Sequence, residues 1–415
     1  MTSFDVLIVG GGAAGCATAA SILNRRSSLS VAIIEPAEQH YYQPAWTLVG
    51  AGAFDPARTV RPMVRCIPRG VRWIKDAVAE LRPELDEVRL SGGEVIRYRA
   101  LVVAPGLVLD WSRIEGLEQT LGRNGVTSNY RFDLAPYTWN LVQALGSGRA
   151  IFTQPAMPIK CAGAPQKAMY LSCDHWRRKG LLEKLDVEFH TTGAVLFGVP
   201  EFVPPLLEYV NRYSVDLNFG STLAAVDGPG RRAWFDVKAA DGTSRTVEKR
   251  FDFLHVVPPQ RAPAFVSDSP LADAAGWLKV DPGTLKHPRF PNVFSVGDAS
   301  SSPNAKTAAA VRKQAPVAAE NLIAGLDGRE SPAVYDGYGS CPLTVERGKV
   351  ILAEFGYGGK LLPSFPLDPT KPRRSAWAFK TRVLPWIYFQ LMLKGREWLA
   401  KPTFARFATP ISAGP

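Results

Sequence analysis

The segment FDVLIVGGGAAG at residues 4–15 decides the fold of the first domain. Its first six residues are mostly apolar and predict a buried strand, and Gly10, Gly12 and Gly15 then form a G-x-G-x-x-G turn. A helix of small residues is predicted over about 13–24. Such a turn lets a pyrophosphate approach the helix N-terminus, where free N–H groups favour negative charge. The segment therefore predicts a βαβ unit that binds a dinucleotide.

Glu35 extends this prediction to the ribose. It ends the next predicted strand, SVAIIE, and lies 20 residues after Gly15. A carboxylate at this place suits the ribose hydroxyls of an adenosine and would repel a 2′-phosphate. The alternative is a glycine turn that only packs the helix on the strand. The predicted cofactor site includes five further positions: Ala14, Gln43, Val78, Ala104 and Gly106.

Two later segments point to a flavin nucleotide. FPNVFSVGDAS at 290–300 resembles the second FAD motif of the flavoproteins with two dinucleotide-binding domains, and LVVAPG at 101–106 resembles their middle motif. The resemblance implies FAD, with Gly297 near the cofactor and Asp298 on its ribityl chain. Taken alone, Asp298 could instead be an ordinary helix N-cap.

The helix that follows is expected to begin near Thr307 in PNAKTAAAV. Its small residues would let the helix N-terminus approach a ring system, and its dipole would stabilise negative charge on a reduced flavin. Lys306 would add to this stabilisation of negative charge, or would simply be a surface lysine.

The fold class expected from these motifs is α/β, with two Rossmann-like dinucleotide-binding domains as in glutathione reductase and an amphipathic helical tail. Alternating strands and helices predict the second domain as an insertion into the first. The expected boundaries are 1–109 with 280–325 for the FAD domain, 110–279 for the second domain with Cys161, 326–370 for a segment with Cys341, and 371–415 for the tail.

The 415 residues carry a net charge of +11, and most of this excess is local. Nine Lys or Arg and one acid, Glu397, follow from Lys371 to the C-terminus, so this segment holds +8. A local excess indicates a local partner and no general affinity for nucleic acid. The five cysteines fit no zinc spacing, so no metal site is expected. No signal peptide is recognised before the first strand, and no apolar run reaches the length of a membrane span.

QPAMPIKCAGAPQKAMYLSCDHW at 154–176 occupies the place where a nicotinamide enzyme would carry a second glycine loop. No G-x-G-x-x-G is present there, so we infer that electrons do not arrive from NAD(P)H. Cys161 instead lies near a predicted helix start between two lysines, Lys160 and Lys167, a context that lowers a thiol pKa. Cys341 lies in a glycine-rich loop.

The usual alternative for an isolated cysteine is a small buried apolar residue. That interpretation fits Cys16 and Cys173, which are predicted inside helices, whereas Cys66 has no evident role.

Four segments together resemble the sulfide:quinone oxidoreductases, and most closely the two-cysteine type that includes the mitochondrial enzymes. They are HYYQPAWTLVGAG (40–52), MPIKCAGAPQKAMYL (157–171), PNAKTAAAVRKQ (303–314) and YDGYGSCPLTV with VILAEF (335–355). Three-cysteine relatives carry another cysteine in the segment that corresponds to TSNYRFD, where this chain has Ser128 and Tyr130.

The resemblance implies that Cys161 and Cys341 are bridged by a disulfide or trisulfide that sulfide attacks. It suggests Cys341 as the cysteine nearer the flavin and Cys161 as the persulfide carrier. Reduced flavin would reduce a quinone, and the sulfane sulfur would leave to a small acceptor. The implied location is the surface of an inner membrane, and a homo-oligomer is possible.

The basic tail supplies a means of reaching a membrane quinone. Its tryptophans and cations suit a lipid headgroup boundary, and a break at Gly395 predicts two short amphipathic helices that lie on anionic lipid. The alternative is a helical pair packed on the protein. Phe355, Tyr357 and Phe389 are candidate walls of a quinone pocket, with ordinary core packing as the equal alternative.

Three rival functions remain open at this point. A type II NADH:quinone oxidoreductase shares the flavin fold and a similar tail. The flavin subunit of a flavocytochrome sulfide dehydrogenase also uses two cysteines, but would need a haem partner and an export signal. A sulfur carrier that keeps its flavin only for structure is the non-enzymatic alternative.

Overall fold

The computed structural model of the protein describes residues 2–238, 242–329 and 333–404. The end of the predicted tail, residues 405–415 with Arg406, lies outside the described residues. Two α/β units make up most of the described chain, and a hairpin and a helical tail join them.

The first unit contains the predicted βαβ motif. Its strands and helices are β1 (Thr2–Val9), α1 (Ala13–Arg25), β2 (Val31–Ile34), β3 (Gln39–Tyr41), α2 (Trp46–Val49), β4 (Val60–Pro62), β5 (Val71–Ile74), β6 (Val78–Arg82), β7 (Glu87–Leu90), β8 (Val95–Val103) and β9 (Val108–Leu109). Strand β1 pairs in parallel with β2 and β8, so that Ile8 lies opposite Ile33 on one side and Val102 on the other. The strand and helix predicted from residues 4–24 are therefore confirmed.

The second unit is built on a parallel sheet in the order β10-β17-β11-β12-β13, beside an antiparallel sheet of β14, β15 and β16. The chain from Val126 to His255 supplies their strands: β10 (Val126–Thr127), β11 (Gly148–Gln154), β12 (Leu185–Thr191), β13 (Asp216–Phe219), β14 (Ser221–Asp227), β15 (Arg232–Lys238), β16 (Ser244–Arg250) and β17 (Phe253–His255). The helices of this unit are α3 (Leu117–Thr120), α4 (Leu134–Ala144), α5 (Ala164–Arg178) and α6 (Val203–Arg212). Strand β18 (Gln260–Arg261) then pairs with β9, and α7 (Ala264–Ser267) packs on the first unit. Pro165 lies in the first turn of α5, as predicted.

The chain then returns to the first unit. Strand β19 (Val293–Ser295) pairs with β8, and the described part of this sheet has seven strands. Helix α8 (Ala308–Leu326) packs on α1, and their apolar faces form one core with β1 and β2. Three strands follow: β20 (Ala333–Val334), β21 (Gly339–Glu346) and β22 (Lys349–Phe355). The hairpin of β21 and β22 packs against α5 of the second unit and so places Cys341 beside that helix.

The tail is one helical segment from Arg374 to Lys394, because α9 (Arg374–Ala378) and α10 (Leu384–Trp386) alternate with π-helical turns. The prediction of two helices separated at Gly395 is wrong for the described residues. Gly395 has φ of +62°, a left-handed conformation that ends a helix, and the next regular element is a short strand, β23 (Thr403–Phe404). The inner face of the tail is buried on the first unit, so the predicted alternative of packing on the protein holds for that face.

Polar contacts fasten the end of the tail to α1. Arg25 donates to both carboxylate oxygens of Glu397, and the Ser21 hydroxyl donates to one of them at 2.6 Å. The Asn24 amide donates to the carbonyls of Lys394 and Gly395, at 3.0 Å each. In the part of the chain that the structure describes, no helix is long and apolar enough to cross a bilayer.

Two helical glycines give a matched test of the packing that holds the glycine loop. A Cβ on Gly15 would lie 1.8 Å from the Gly10 carbonyl oxygen, whereas a Cβ on Gly325 would meet nothing within 4 Å. We expect Gly15→Ala to cost about 1–3 kcal/mol through overpacking and Gly325→Ala to gain about 0.5–1 kcal/mol through helix propensity. Thermal unfolding of the two variants measures both shifts. A wild-type midpoint for Gly15→Ala would contradict the close approach of α1 to β1.

Candidate active site

A cavity of about 430 Å³ runs from the glycine loop of the first unit to the helical tail. Most of the cofactor residues predicted from sequence line it: Gly12, Ala14, Glu35, Gln43, Ala104, Gly106, Gly297, Asp298, Lys306 and Thr307. Three others do not. Gly10 and Gly15 lie beneath the loop, where a Cβ on Gly10 would be 2.4 Å from the Ala104 carbonyl oxygen. Val78 packs in the core on the other face of the sheet.

The glycine loop is shaped for a close approach by a ligand. Gly10 has φ of +98°, which only glycine adopts readily, and a Cβ on Gly12 would meet no atom within 4 Å. The N–H of Gly11 donates to Glu35 Oε2 at 2.8 Å, so the carboxylate is fixed at the edge of the cavity. The first N–H groups of α1 have no acceptor within the helix. This end of the cavity can therefore hold a pyrophosphate and a ribose.

Lys306 is buried and is not a surface lysine. Its Nζ donates to the carbonyls of Asp298 and Ser300, at 2.7 and 2.9 Å, and lies over the Trp277 ring. Burial lowers the pKa of Lys306 to about 8 and raises the pKa of the Asp298 carboxyl. The side chain of Thr307 caps α8 by accepting from the Ala310 N–H. The lysine and the cap together fix the loop that carries Asp298.

Cys161 and Cys341 meet although 180 residues separate them in the sequence. Nζ of Lys167 lies 3.1 Å from the Cys161 sulfur and 3.8 Å from the Cys341 sulfur, so one ammonium group contacts both thiols. Cys161 lines the cavity, whereas Cys341 is buried behind it on β21. The prediction of a loop at Cys341 is therefore wrong, because residues 339–346 pair with β22. The pair lies where the second unit, the hairpin and the cavity come together.

The backbone of Cys161 is held on both sides. Its N–H donates to the Lys306 carbonyl at 2.9 Å, and its own carbonyl accepts from the Tyr130 hydroxyl at 3.2 Å. Its φ of +49° is uncommon for a residue with a side chain and aims the thiol at the cavity wall. The cysteine loop and the Asp298 loop are therefore joined by a main-chain hydrogen bond.

The two thiols differ in acidity because their surroundings differ. The neighbouring Cys341 thiol and the Lys167 charge hold the pKa of Cys161 well below its usual range, whereas Cys161 and burial raise the pKa of Cys341. Cys161 is therefore the more acidic member of the pair. The pKa of Lys167 is raised by both cysteines despite its burial, so the lysine stays charged.

Lys380 is a functional candidate that sequence reasoning missed. It is 5% exposed, donates from Nζ to the Pro342 carbonyl at 3.1 Å, and interacts with the charges of both cysteines. Burial lowers its pKa to about 7. It was counted among the surface cations of the tail. One indication of its burial is present in the sequence. Lys380 lies four residues from both Ala376 and Leu384, a spacing that puts it with them on the inward face of the helix.

The residues predicted to wall a quinone pocket lie elsewhere. Phe389 packs on His40 and Tyr42 in the core, Phe355 packs on Phe197, and the Tyr357 hydroxyl donates to the Pro282 carbonyl. None of the three lines the cavity. Its apolar end is instead formed by hairpin and tail side chains that were not singled out: Pro342, Leu352, Phe365, Phe379, Leu384, Ile387, Tyr388, Met392, Trp398 and Leu399.

The other cysteines are not part of this site. Cys16, Cys66 and Cys173 are buried, and burial raises the pKa of each thiol. The packing predicted for Cys16 and Cys173 is confirmed, and Cys66 packs in the same core as Cys16. Within the residues that the structure describes, no group of three or more His, Cys, Asp or Glu side chains is arranged to hold a metal ion.

Comparisons with known proteins show the family of the chain. Residues 4–148 match the family model described as pyridine nucleotide-disulphide oxidoreductase. The mitochondrial sulfide:quinone oxidoreductase of Mus musculus is 39% identical over 403 residues, which are 97% of this chain and 89% of that protein.

Solved structures share the fold at lower identity. The sulfide:quinone oxidoreductase of the hyperthermophilic bacterium Aquifex aeolicus superposes with a TM-score of 0.76 at 18% identity, over 96% of this chain and 92% of that one. A chain in the cryo-EM structure of the Tetrahymena thermophila mitochondrial ATP synthase gives 0.83 at 19% identity, over 95% and 97%. Because the mouse protein is similar over nearly the whole length, this chain belongs to the sulfide:quinone oxidoreductase family.

Proposed function

We propose that the protein oxidises sulfide at Cys161 and Cys341 and passes the electron pair through FAD to a membrane quinone. The observation that carries this proposal is the position of the cysteine pair, which shares one buried ammonium at the wall of the cavity. The cavity begins at a dinucleotide loop and ends among apolar side chains. The named relatives favour this reaction over the NADH-dependent and flavocytochrome alternatives.

The residues along the cavity fit FAD. A Cβ on Gly12 or on Gly106 would meet no protein atom within 4 Å, which leaves room for a ligand against the backbone. Asn129 is buried at the cavity wall, and neither its amide oxygen nor its nitrogen has a partner among the described residues. The loop with Gly12 and Glu35 would hold the adenosine and pyrophosphate, and Asp298 the ribityl chain. When bound, FAD accepts two electrons at the cysteine pair and releases them to a quinone.

Cys161 is the member of the pair that we assign to the cofactor side. The resemblance to the family suggested Cys341 there, but Cys161 lines the cavity and has the lower pKa, because Cys341 and Lys167 stabilise its thiolate. In a sulfur bridge between the two, the group with the lower pKa leaves faster. Hydrosulfide therefore attacks on the Cys341 side. A new S–S bond forms there, the bond to the Cys161 sulfur breaks, and Cys161 leaves as a thiolate.

The exposed side of the tail supports membrane docking. Val383, Trp386, Trp398 and Leu399 are exposed apolar side chains, and exposed cations such as Arg382 and Lys394 accompany them. Trp398 and Leu399 also line the cavity, so this surface adjoins its apolar end. We propose that the tail lies on anionic lipid and admits quinone from the bilayer.

Removing either cysteine of the pair should stop electron entry. We expect Cys161→Ser and Cys341→Ser to slow sulfide-dependent flavin bleaching by at least about 100-fold, because the nucleophilic exchange needs both sulfurs. Anaerobic stopped-flow mixing with sulfide measures this rate, and Cys173→Ala on α5 is the control. Bleaching of Cys341→Ser at the wild-type rate, or bleaching of the wild type by NADH alone, would contradict the proposal.

The ammonium of Lys167 should set the pH range of the Cys161 thiolate. Without this cation the thiol pKa rises, so the pH midpoint of iodoacetamide alkylation of the reduced protein should move upward by roughly 1–3 units in Lys167→Met. Lys179→Met, at the exposed end of the same helix, is the control and should keep the wild-type midpoint. An unchanged midpoint in Lys167→Met would assign the acidity of Cys161 to another group.

Membrane docking predicts a vesicle-binding defect. Replacement of Trp386 and Trp398 by serine should reduce co-sedimentation with phosphatidylglycerol-containing vesicles by about 10-fold or more, since both rings lose their place at the headgroup boundary. Val195→Ser with Phe219→Ser removes comparably exposed apolar residues from the second unit and should bind normally. Equal loss in both double variants would indicate nonspecific adsorption.

A further inference from the structure

A buried carboxylate that the mechanism above does not use lies in the wall of the cavity. Glu354 on β22 is 4% exposed and lines the cavity beside Leu352. The other acids that line the cavity, Glu35 and Asp298, belong to its cofactor end. Glu354 therefore has no role in nucleotide binding or in the sulfur exchange described above.

The carboxylate is held by three donors. The Tyr338 hydroxyl and the Ser364 hydroxyl both donate to Oε1, the latter at 2.6 Å, and the Ser364 N–H donates to Oε2 at 2.9 Å. Ser364 is exposed and Tyr338 is buried, and both residues line the cavity. These contacts form a continuous hydrogen-bonded path from solvent through Ser364 and Glu354 to the cavity wall.

The charged groups around this path are cationic. Arg312 and Lys313 on α8 interact with the charge of Glu354, and Lys313 also lies over the Tyr338 ring. Lys380 of the tail lines the same end of the cavity. Arg312 and Lys313 are therefore the charged neighbours that α8 presents to Glu354.

The chemistry at this end of the cavity requires a proton donor. A quinone becomes a quinol by gaining two electrons and two protons, and apolar walls exclude the water that would otherwise supply the protons. We propose that Glu354 is the acid that delivers a proton to the quinone, and that Ser364 connects it to solvent. This inference rests on the proposed function, because it takes the apolar end of the cavity as the quinone site.

When FAD is bound, its reduced form would supply the electron pair together with one proton. The O–H bond of Glu354 breaks as an O–H bond forms at the quinone oxygen, which gives the quinol and a carboxylate. A proton from solvent then passes along the Ser364 hydroxyl and restores the acid. The Tyr338 hydroxyl holds the carboxylate in place throughout.

Glu354→Gln tests the donor role while keeping the shape and the acceptor oxygen for Tyr338 and Ser364. The enzyme with its cofactor is reduced with dithionite and mixed anaerobically with decylubiquinone or with ferricyanide, an acceptor that takes no protons. We expect re-oxidation by quinone to slow about 100-fold, the scale of general acid catalysis, and re-oxidation by ferricyanide to stay at the wild-type rate. Formate or azide should partly restore the quinone reaction. Glu346→Gln, in the same hairpin but paired with Arg212 and Lys349, should behave as wild type.

Binding separates proton delivery from a structural role. The dissociation constant of a quinone analogue, followed by tryptophan fluorescence, should stay within about threefold of wild type in Glu354→Gln, and Ser364→Ala should give an intermediate rate with the same affinity. Equal quinone rates in Glu354→Gln and wild type would overturn the inference, as would equal slowing with ferricyanide. Because dithionite replaces sulfide, these outcomes are independent of the sulfide reaction. Failure of the proposed function would appear separately, as a wild-type flavin that sulfide does not bleach.

Discussion

One buried ammonium group, Nζ of Lys167, organises the site. A thiolate in a low-dielectric interior is costly without a compensating charge, and a buried lysine is costly without an anion. Lys167 and Cys161 stabilise each other's charged forms, and Cys341 lies close enough to share the same cation. The difference in acidity between the two cysteines follows from this arrangement. The same arrangement determines which cysteine leaves as the thiolate when a sulfur bridge between the two is attacked.

Separate parts of the chain meet at the cysteine pair. Helix α5 supplies Lys167, the hairpin supplies Cys341, and the Lys306 carbonyl holds the Cys161 loop next to the cofactor end of the cavity. Lys167 and Cys341 lie on a helix and a strand, and the loop with Cys161 is held by main-chain and Tyr130 hydrogen bonds.

Local patterns in the sequence predicted the parts of this arrangement that depend on near neighbours. The glycine loop, Glu35 and the start of α5 at Pro165 follow from spacing within one βαβ unit or one helix. Long-range features could not be read in this way. A count of charges treats Lys380 as one more cation of the tail. The residues around Cys341 do not indicate how its thiol will lie relative to Cys161. Phe355, Tyr357 and Phe389 were predicted at the quinone site from their positions along the chain, and their side chains pack in or against the hydrophobic core.

The tail helix joins two tasks that are usually assigned to different parts of a protein. Trp386 on its outer side follows Lys380 on its inner side by six residues, and the helix is clamped below by Arg25 and Glu397. A displacement of this helix moves an ammonium group relative to the thiols as well as the contact surface relative to its surroundings. One helix therefore sets both the exposed surface around Trp386 and the position of the Lys380 ammonium group near the sulfur pair.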